Sequence, residues 1–494
     1  MEEMDLKSVQ VIVFFAVTAL IGFATWRKVR GAGRKSSDSN KEFFLAGGGL
    51  SWVFVAGSIT LTNLSTDQLV GMNGNQMALL AWWELFAVLG LMILARLFLP
   101  VYYHYQCTTT TELLEKRFKD HHVRAVIALL FLLGNVFIYL PIMLYTGSLF
   151  MKSMFGVEAP ILLIATAFAI VGAAYAILGG LRAVAVSDTY SGILLLGMGI
   201  LVVYLALDAI GFDLSGIPRE RLTMLGGNDS PIPWHTLLTG MIFIQIFYWS
   251  TNQTITQRAM AAPTVKEAQK GVYAAALIRL VLIPPMIVLP GIVSYKLYGP
   301  IGDAAYGRIV GDVLPLWLSG LFAAAIAAAV LTSFNSVLNS SATLYVCDIH
   351  ERYIKAKPNV VRLNAAITLG FVVAALMLVP VYDGAASIIN LVQQLNGLLS
   401  MPILSVFILG LLFQNVDARA AIIAVVFGVG LYAIFTFLWT PLHYIHLMFL
   451  TLISTLSVSL LVNRLVFGRH VRFELPMRSQ QAVSIPNEES VTIS

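Results

Sequence analysis

The chain has 494 residues, 58% hydrophobic and only 12% charged, with a mean hydropathy of +0.82. That composition excludes a soluble globular domain and a disordered chain, and the formal net charge of +5 calls for no nucleic acid or acidic partner once the charges are placed relative to a membrane. Two cysteines exclude a disulfide framework. The histidines show no metal-ligand spacing, and the chain has no phosphate-cradling loop or nucleophile constellation, so it does not read as an enzyme.

A membrane span needs about 20 mainly apolar residues, and thirteen segments meet that length: 8–26, 52–74, 78–104, 124–152, 160–180, 184–211, 236–257, 270–297, 313–346, 361–380, 388–413, 418–438 and 441–466. The first follows an acidic start, lacks a small-residue cleavage site and runs into a basic stretch, so it reads as a retained span. The second is interrupted between Thr60 and Gln76 by Thr62, Asn63, Ser65, Thr66, Asp67 and Gln68, then Asn73 and Asn75. Unsatisfied backbone costs several kcal/mol per group in hydrocarbon, so a span breaks only where protein or a watery cavity satisfies it. Asp67 reads as a cap on the second half-helix. In the third segment Glu84 is an intramembrane ionisable group, and near the cytoplasmic end of the sixth lies Asp188, either an interfacial cap or a cation stop on an inward exit route.

The seventh segment is interrupted like the second, by Gln245, Tyr248, Ser250, Thr251, Asn252, Gln253 and Thr254. Paired interrupted helices in two halves point to a transporter's solute and ion site. Arg279, in the eighth segment, is the natural partner for Glu84, either as a structural ion pair or at the edge of a polar cavity. In the ninth an alanine-rich run precedes Thr332 and Ser333. Their hydroxyls, with the Ala329 carbonyl and two carbonyls freed in the first break, make a neutral oxygen cage of a kind that suits sodium. Such hydroxyls also commonly bond to a carbonyl one turn back. The outer-loop tripeptide Asn228–Asp229–Ser230 would be a glycosylation acceptor in a eukaryote; Trp52, Trp234, Trp317 and Trp439 read as interfacial belt residues. The tail after Arg478 reads as disordered.

Placing the N-terminus outside and the C-terminus in the cytoplasm puts 23 of the 31 Lys and Arg residues in inner loops and six at outer ends. This positive-inside bias supports the odd number of spans.

The stretches ITLTNLSTDQLVGMNG (59–74), GGLRAVAVSD (179–188), YWSTNQTITQRAMAAPTVKEAQKG (248–271) and LTSFNSVLNSSATLYVCDI (331–349) resemble the sodium/solute symporter family, closest to its bacterial sodium/glucose (galactose) cotransporter branch. The resemblance implies an all-α polytopic membrane protein with a LeuT-type inverted-repeat core of five plus five helices. The repeats would be 52–211 and 236–413, with an extra helix and basic loop at 1–51, an outer loop at 212–235, and two more helices with a polar tail at 414–494. It implies sodium ligation by the carbonyls of Leu61, Leu64 and Ala329 and the hydroxyls of Thr332 and Ser333, with Asp188 on the exit path. The solute positions would be Asn63, Gln68, Glu84, Gln245, Arg279 and Gln393, with Tyr248 and Trp249 as the inner gate.

The expected function is alternating-access symport of sodium with a hexose-like polyhydroxylated solute in a cell membrane, such as a bacterial inner membrane, with a monomer sufficient for transport. Departures at the solute site bear on its identity: galactose-transporting relatives carry Asn at the position of Gln245, Lys at Arg279 and Ser at Ala87. Sialic acid, a carboxylated sugar or an osmolyte are therefore alternative cargoes, and a non-transporting solute sensor is a further alternative. Family members that use a second sodium place it between the aspartate at Asp188 and a hydroxyl three residues beyond the first Thr/Ser ligand. Here that residue is Asn335, so one sodium per solute is expected.

Overall fold

A computed structural model of the chain describes residues 2–30, 39–156, 158–356, 358–383, 385–440 and 442–474. The expected disordered tail lies outside them, as do four of the inner-loop cations, Arg34, Lys35, Lys357 and Arg478. The described residues are predominantly helical: α1 (Glu2–Arg30), α2 (Trp52–Asn63), α3 (Thr66–Gly74), α4 (Ala78–His104) and α5 (His121–Phe155). A helical run at Ile161–Ala209 follows, holding α6 (Ile161–Ala174) and α7 (Leu181–Ala209). Then come α8 (Gly240–Ile246), α9 (Gln253–Met260), α10 (Val265–Tyr298), α11 (Leu316–Tyr353), α12 (Val360–Tyr382), α13 (Ile388–Leu412), α14 (Ala418–Leu438) and α15 (Tyr444–Leu465).

Among the described residues nine of these helices are long and apolar enough to cross a membrane: α4, α5, α7 and α10 to α15. The other four expected spans correspond to α1, the broken pair α2–α3, α6 and the broken pair α8–α9. Val171 of α6 and Ser187 of α7 line one small cavity. A straight helix would hold them about 24 Å apart, so the run folds back and forms two spans.

Helix α11 is the most enclosed of the nine. Its Ala323–Ala329 stretch is fully or almost fully buried, because small side chains let neighbouring backbones approach in a membrane. Around it pack α1, α2, α9 and the α6–α7 run, while α3 is held by α10, α13 and the second half of α5. Two glycines beside the interrupted helices allow close approaches. A Cβ on Gly57 of α2 would lie 2.5 Å from the Thr189 hydroxyl oxygen of α7, and one on Gly90 of α4 would lie 2.5 Å from the Gln245 carbonyl of α8. Proline shapes α5: Pro141 has no N–H, a wide π turn at Asn135–Tyr139 precedes it, and the Phe137 carbonyl instead accepts the Tyr382 hydroxyl at 2.6 Å.

Cys107 and Cys347 are both free and buried. Trp52, Trp234, Trp317 and Trp439 are all exposed, as interfacial belt residues should be. A two-residue antiparallel pairing, Phe413–Gln414 with Arg472–Phe473, ties the chain after α15 to the end of α13.

Candidate functional site

The first break is a single irregular step between α2 and α3. Leu64 leaves the helix at φ −75° and ψ 68°, yet its N–H still reaches the Thr60 carbonyl. The next N–H, that of Ser65, turns to Asn63 rather than to Leu61. Leu61 therefore keeps a free carbonyl inside the protein, and the Ser333 hydroxyl of α11 donates to it at 3.3 Å. Leu64 lies between the two half-helices. Within α11 Thr332 donates to the Ala329 carbonyl at 3.2 Å, and across the gap Thr62 and Ser336 share a 3.3 Å contact. Four of the five expected sodium ligands are thus joined in two pairs, Leu61 with Ser333 and Ala329 with Thr332, and Leu64 lies beside them in the break.

Asp188 sits against this cluster. It is fully buried, so it is not an interfacial cap, and its Oδ2 accepts the Ser58 hydroxyl at 2.5 Å. The hydroxyls of Thr332 and Thr62 lie alongside. Asp67 is not the capping residue of α3 either. Ser65 holds that position, and its hydroxyl donates to Asp67, whose side chain faces a neighbouring cavity.

That cavity lies between both broken helices, α4 and α13. Asn63, Asp67, Gln68, Glu84, Gln245, Tyr248, Trp249 and Gln393 line it, together with Met72, Trp83, Tyr139, Ile244, Ile389, Val392 and Asn396. Its side chains are drawn together, leaving about 60 Å³ for the centres of water-sized spheres, enough for a few waters. The second break explains the position of Tyr248. A π turn at Phe247–Thr251 ends at Asn252, whose side chain caps α9 by accepting the Thr254 N–H. The Tyr248 hydroxyl then accepts from Asn63 Nδ2 at 3.0 Å, joining the two breaks.

Arg279 stands one layer behind the cavity wall. Its guanidinium meets Glu84 at 2.6 Å, donates to Asn63, the Thr60 carbonyl (3.2 Å) and Gln68 (3.4 Å), and lies over the Trp249 ring at 4.5 Å. Gln68 also donates to Glu84, and the Trp249 N–H donates to Gln245 at 2.8 Å. Five of the six expected solute residues therefore line one cavity, and the sixth holds three of them. Three acceptors converge on Arg279 Nη2 while its Nε has no hydrogen-bond partner. An ion pair this buried is kept by its extra hydrogen bonds, and losing one partner strands the other.

Sequence reasoning missed Trp83, Tyr139 and Asn396 as lining residues. It also missed two polar clusters outside the cavity. At the C-terminal end of α11, Asp348 accepts from Thr109, Thr111 and Arg124, and Arg124 also pairs with Glu115 at 2.6 Å. Ahead of α8 and near the start of α15, His235 Nδ1 and His446 Nε2 lie 2.5 Å apart. Such contacts join residues more than 200 positions apart, and no local spacing announces them. Among the described residues there is no group of three or more His, Cys, Asp or Glu side chains that could hold a metal ion.

A broken-helix pair that presents freed carbonyls to one neighbour and amides to a central cavity defines an ion-coupled membrane transporter. The chain belongs to the sodium:solute symporter family, whose model matches residues 43–428. It is 33% identical to the uncharacterized symporter YidK of Escherichia coli (strain K12) over 93% of this chain and 84% of that protein. It is 29% identical to the sodium/glucose cotransporter of Vibrio parahaemolyticus, over 92% of this chain and 90% of the relative. The fold is that of a sodium-coupled sialic acid symporter (TM-score 0.80, 16% identity, 94% of this chain and 98% of that one). It extends to the more distant transporter MhsT (TM-score 0.51, 15% identity, 86% and 99%). The protein is accordingly a multi-pass membrane protein with the LeuT-type fold, and sodium is its coupling ion.

Proposed function

We propose that the protein carries a neutral, polyhydroxylated, sugar-like solute inward together with sodium by alternating access. The observation that carries this reading is that one broken helix serves both cargoes: Leu61 faces Ser333 of α11, while Asn63 and Gln68 face the cavity. Sodium held by the carbonyls of Leu61, Leu64 and Ala329 and the hydroxyls of Thr332 and Ser333 would fix α2 against α11. That fixes the directions of Asn63 and Gln68, and coupling needs no more than two ligands favouring one state.

The same cavity supports a neutral solute. Asn63, Gln68, Gln245, Gln393 and Asn396 offer amide donors and acceptors, and Trp83, Tyr139 and Tyr248 offer ring faces. Arg279 is already committed to Glu84, and Asp67 adds a second carboxylate to the wall. A carboxylated sugar would meet more negative than free positive charge, which disfavours the sialic-acid-like alternative. Inverted repeats at 52–211 and 236–413 would rock about this centre, with Tyr248 and Trp249 on the inner side, the N-terminus outside and the C-terminus in the cytoplasm. An inward field supplies about 2.3 kcal/mol per charge per 100 mV, and a tenfold sodium gradient adds about 1.4 kcal/mol. Together these sustain accumulation on the order of several hundredfold for one sodium. A thermal-shift screen of the purified protein tests the cargo. Hexoses or polyols should raise Tm only when sodium is present, and a shift produced by a carboxylated sugar alone would overturn the neutral-solute reading.

A further inference from the structure

Two buried charges lie outside the solute cavity, and both have unspent hydrogen-bonding capacity. Asp188 of α7 accepts from Ser58 through Oδ2, whereas its Oδ1 has no hydrogen-bond partner. Arg258 of α9 is fully buried and donates from Nη1 to the Thr254 carbonyl one turn back, while its Nε and Nη2 have no partner. The two residues carry opposite charges and lie close enough for each to feel the other, although they form no direct ion pair in this structure. Helix α9 packs on α2 and α11, the helices that supply Ser58 and the Thr332–Ser333 pair. Arg258 and Asp188 thus sit on elements packed against the same two helices, with no ion pair between them in this structure and two guanidinium nitrogens of Arg258 to spare.

Burying an ion is costly unless a partner compensates it, and ionisable groups inside a membrane protein are paired as a rule. Here each ion has one close hydrogen-bond partner, Ser58 or Thr254, and Arg258 keeps two guanidinium nitrogens without a partner. Thr332, one of the proposed sodium ligands, lies next to the Asp188 carboxylate, so a sodium ion there is a second cation within that carboxylate's field.

We infer that Arg258 is the resident counter-ion of Asp188, and that the guanidinium and sodium alternate at this carboxylate. This rests on the assignment of sodium to Thr332 and Ser333. As sodium leaves, Arg258 turns its free N–H groups onto Asp188, drawing α9 toward α7. The ion-free carrier then returns with its buried charges matched, and rebinding sodium has to displace a tethered competitor. Arg258 is thus a positioning residue, acting on the ion through Asp188.

The test compares Arg258→Gln and Arg258→Lys with wild type in two assays: equilibrium binding of radiolabelled sodium to purified protein, and hexose flux in proteoliposomes. Arg258→Gln should bind sodium about tenfold more tightly, within the usual range of site–site coupling. It should slow net uptake, which needs the empty carrier's return, more than solute exchange with sodium saturating both faces, which does not. Arg258→Lys, which keeps the charge, should restore most of both properties. Unchanged or weaker sodium binding in Arg258→Gln, or an equal loss of net uptake and exchange, would overturn the inference. If Arg258→Gln does not fold, the double variant Asp188→Asn with Arg258→Gln should regain folding because the two charges balance, and no rescue counts against the pair. Failure of the underlying sodium assignment shows separately, as unchanged sodium binding in Thr332→Ala and Ser333→Ala.

Discussion

The Ser333 hydroxyl and the Leu61 carbonyl, 3.3 Å apart, bridge α11 to the step that breaks the first helix. Their contact places two hard oxygens side by side in a buried setting, where a small cation can replace the bridging hydrogen bond. If sodium binds there, Thr332→Ala and Ser333→Ala each remove an oxygen ligand. Interactions with a charged group are worth about 1.5–3 kcal/mol, so the sodium concentration for half-maximal uptake should rise about tenfold or more. Unaltered sodium dependence in both variants would remove these residues from the ion site.

In the solute cavity, Gln68→Ala and Gln393→Ala should each weaken solute binding by about 10- to 100-fold, because a site built to hydrogen-bond hydroxyls discriminates strongly when a partner is lost. Leu69→Ala, beside Gln68 in the chain, should do less. Glu84→Ala carries a second cost: stranding Arg279 should destabilise the fold by about 3–5 kcal/mol, visible as a lower Tm in detergent. Wild-type affinity in well-folded Gln68 and Gln393 variants would move the solute elsewhere.

Much of this centre was legible in the sequence because polar residues interrupting apolar spans have few physical explanations. Thr60–Gln76 and Gln245–Thr254 stood out for that reason, and so did the hydroxyl pair after the alanine run. What did not show was depth and direction. Arg279 and Glu84 read as a pair, but not as a pair in which the arginine lies behind the wall, stacked on Trp249. Asp188 was legible near the start of its span, but not its burial against Ser58. The histidine contact between residues 235 and 446 and the Asp348 cluster depend on how distant helices meet, which periodicity along one helix does not encode.

Coupling stoichiometry is a sharper question. Asn335 stands where a second-sodium site would need a hydroxyl; its Oδ1 is buried without a hydrogen-bond partner, and Ser336 beside it is engaged with Thr62. One sodium per solute is the expected ratio. Reversal-potential measurements in proteoliposomes should return a value near one. A ratio near two would make Asn335 or Ser336 an ion ligand.

The loop after α10 carries a pH dependence. Asp303, in the loop after α10, accepts the Ile388 N–H at 2.9 Å at the start of α13, and burial pushes its carboxyl up to about 6. The folded protein then keeps a proton that the unfolded chain releases near pH 4, so this group's contribution to stability falls as pH rises from about 4 to 6 and is level above. Asp303→Asn retains an acceptor for Ile388 and should flatten that part of the Tm–pH curve. An unchanged slope would assign the effect to another group.

The most direct test of sodium-coupled transport of a neutral sugar-like solute is uptake of labelled hexoses and polyols into proteoliposomes holding the purified protein. An inward sodium gradient with the interior negative should drive accumulation above the outside concentration. Collapse of the sodium gradient should abolish it, and Ser333→Ala should blunt it. Uptake that only equilibrates, or that proceeds equally with potassium in place of sodium, would contradict the account.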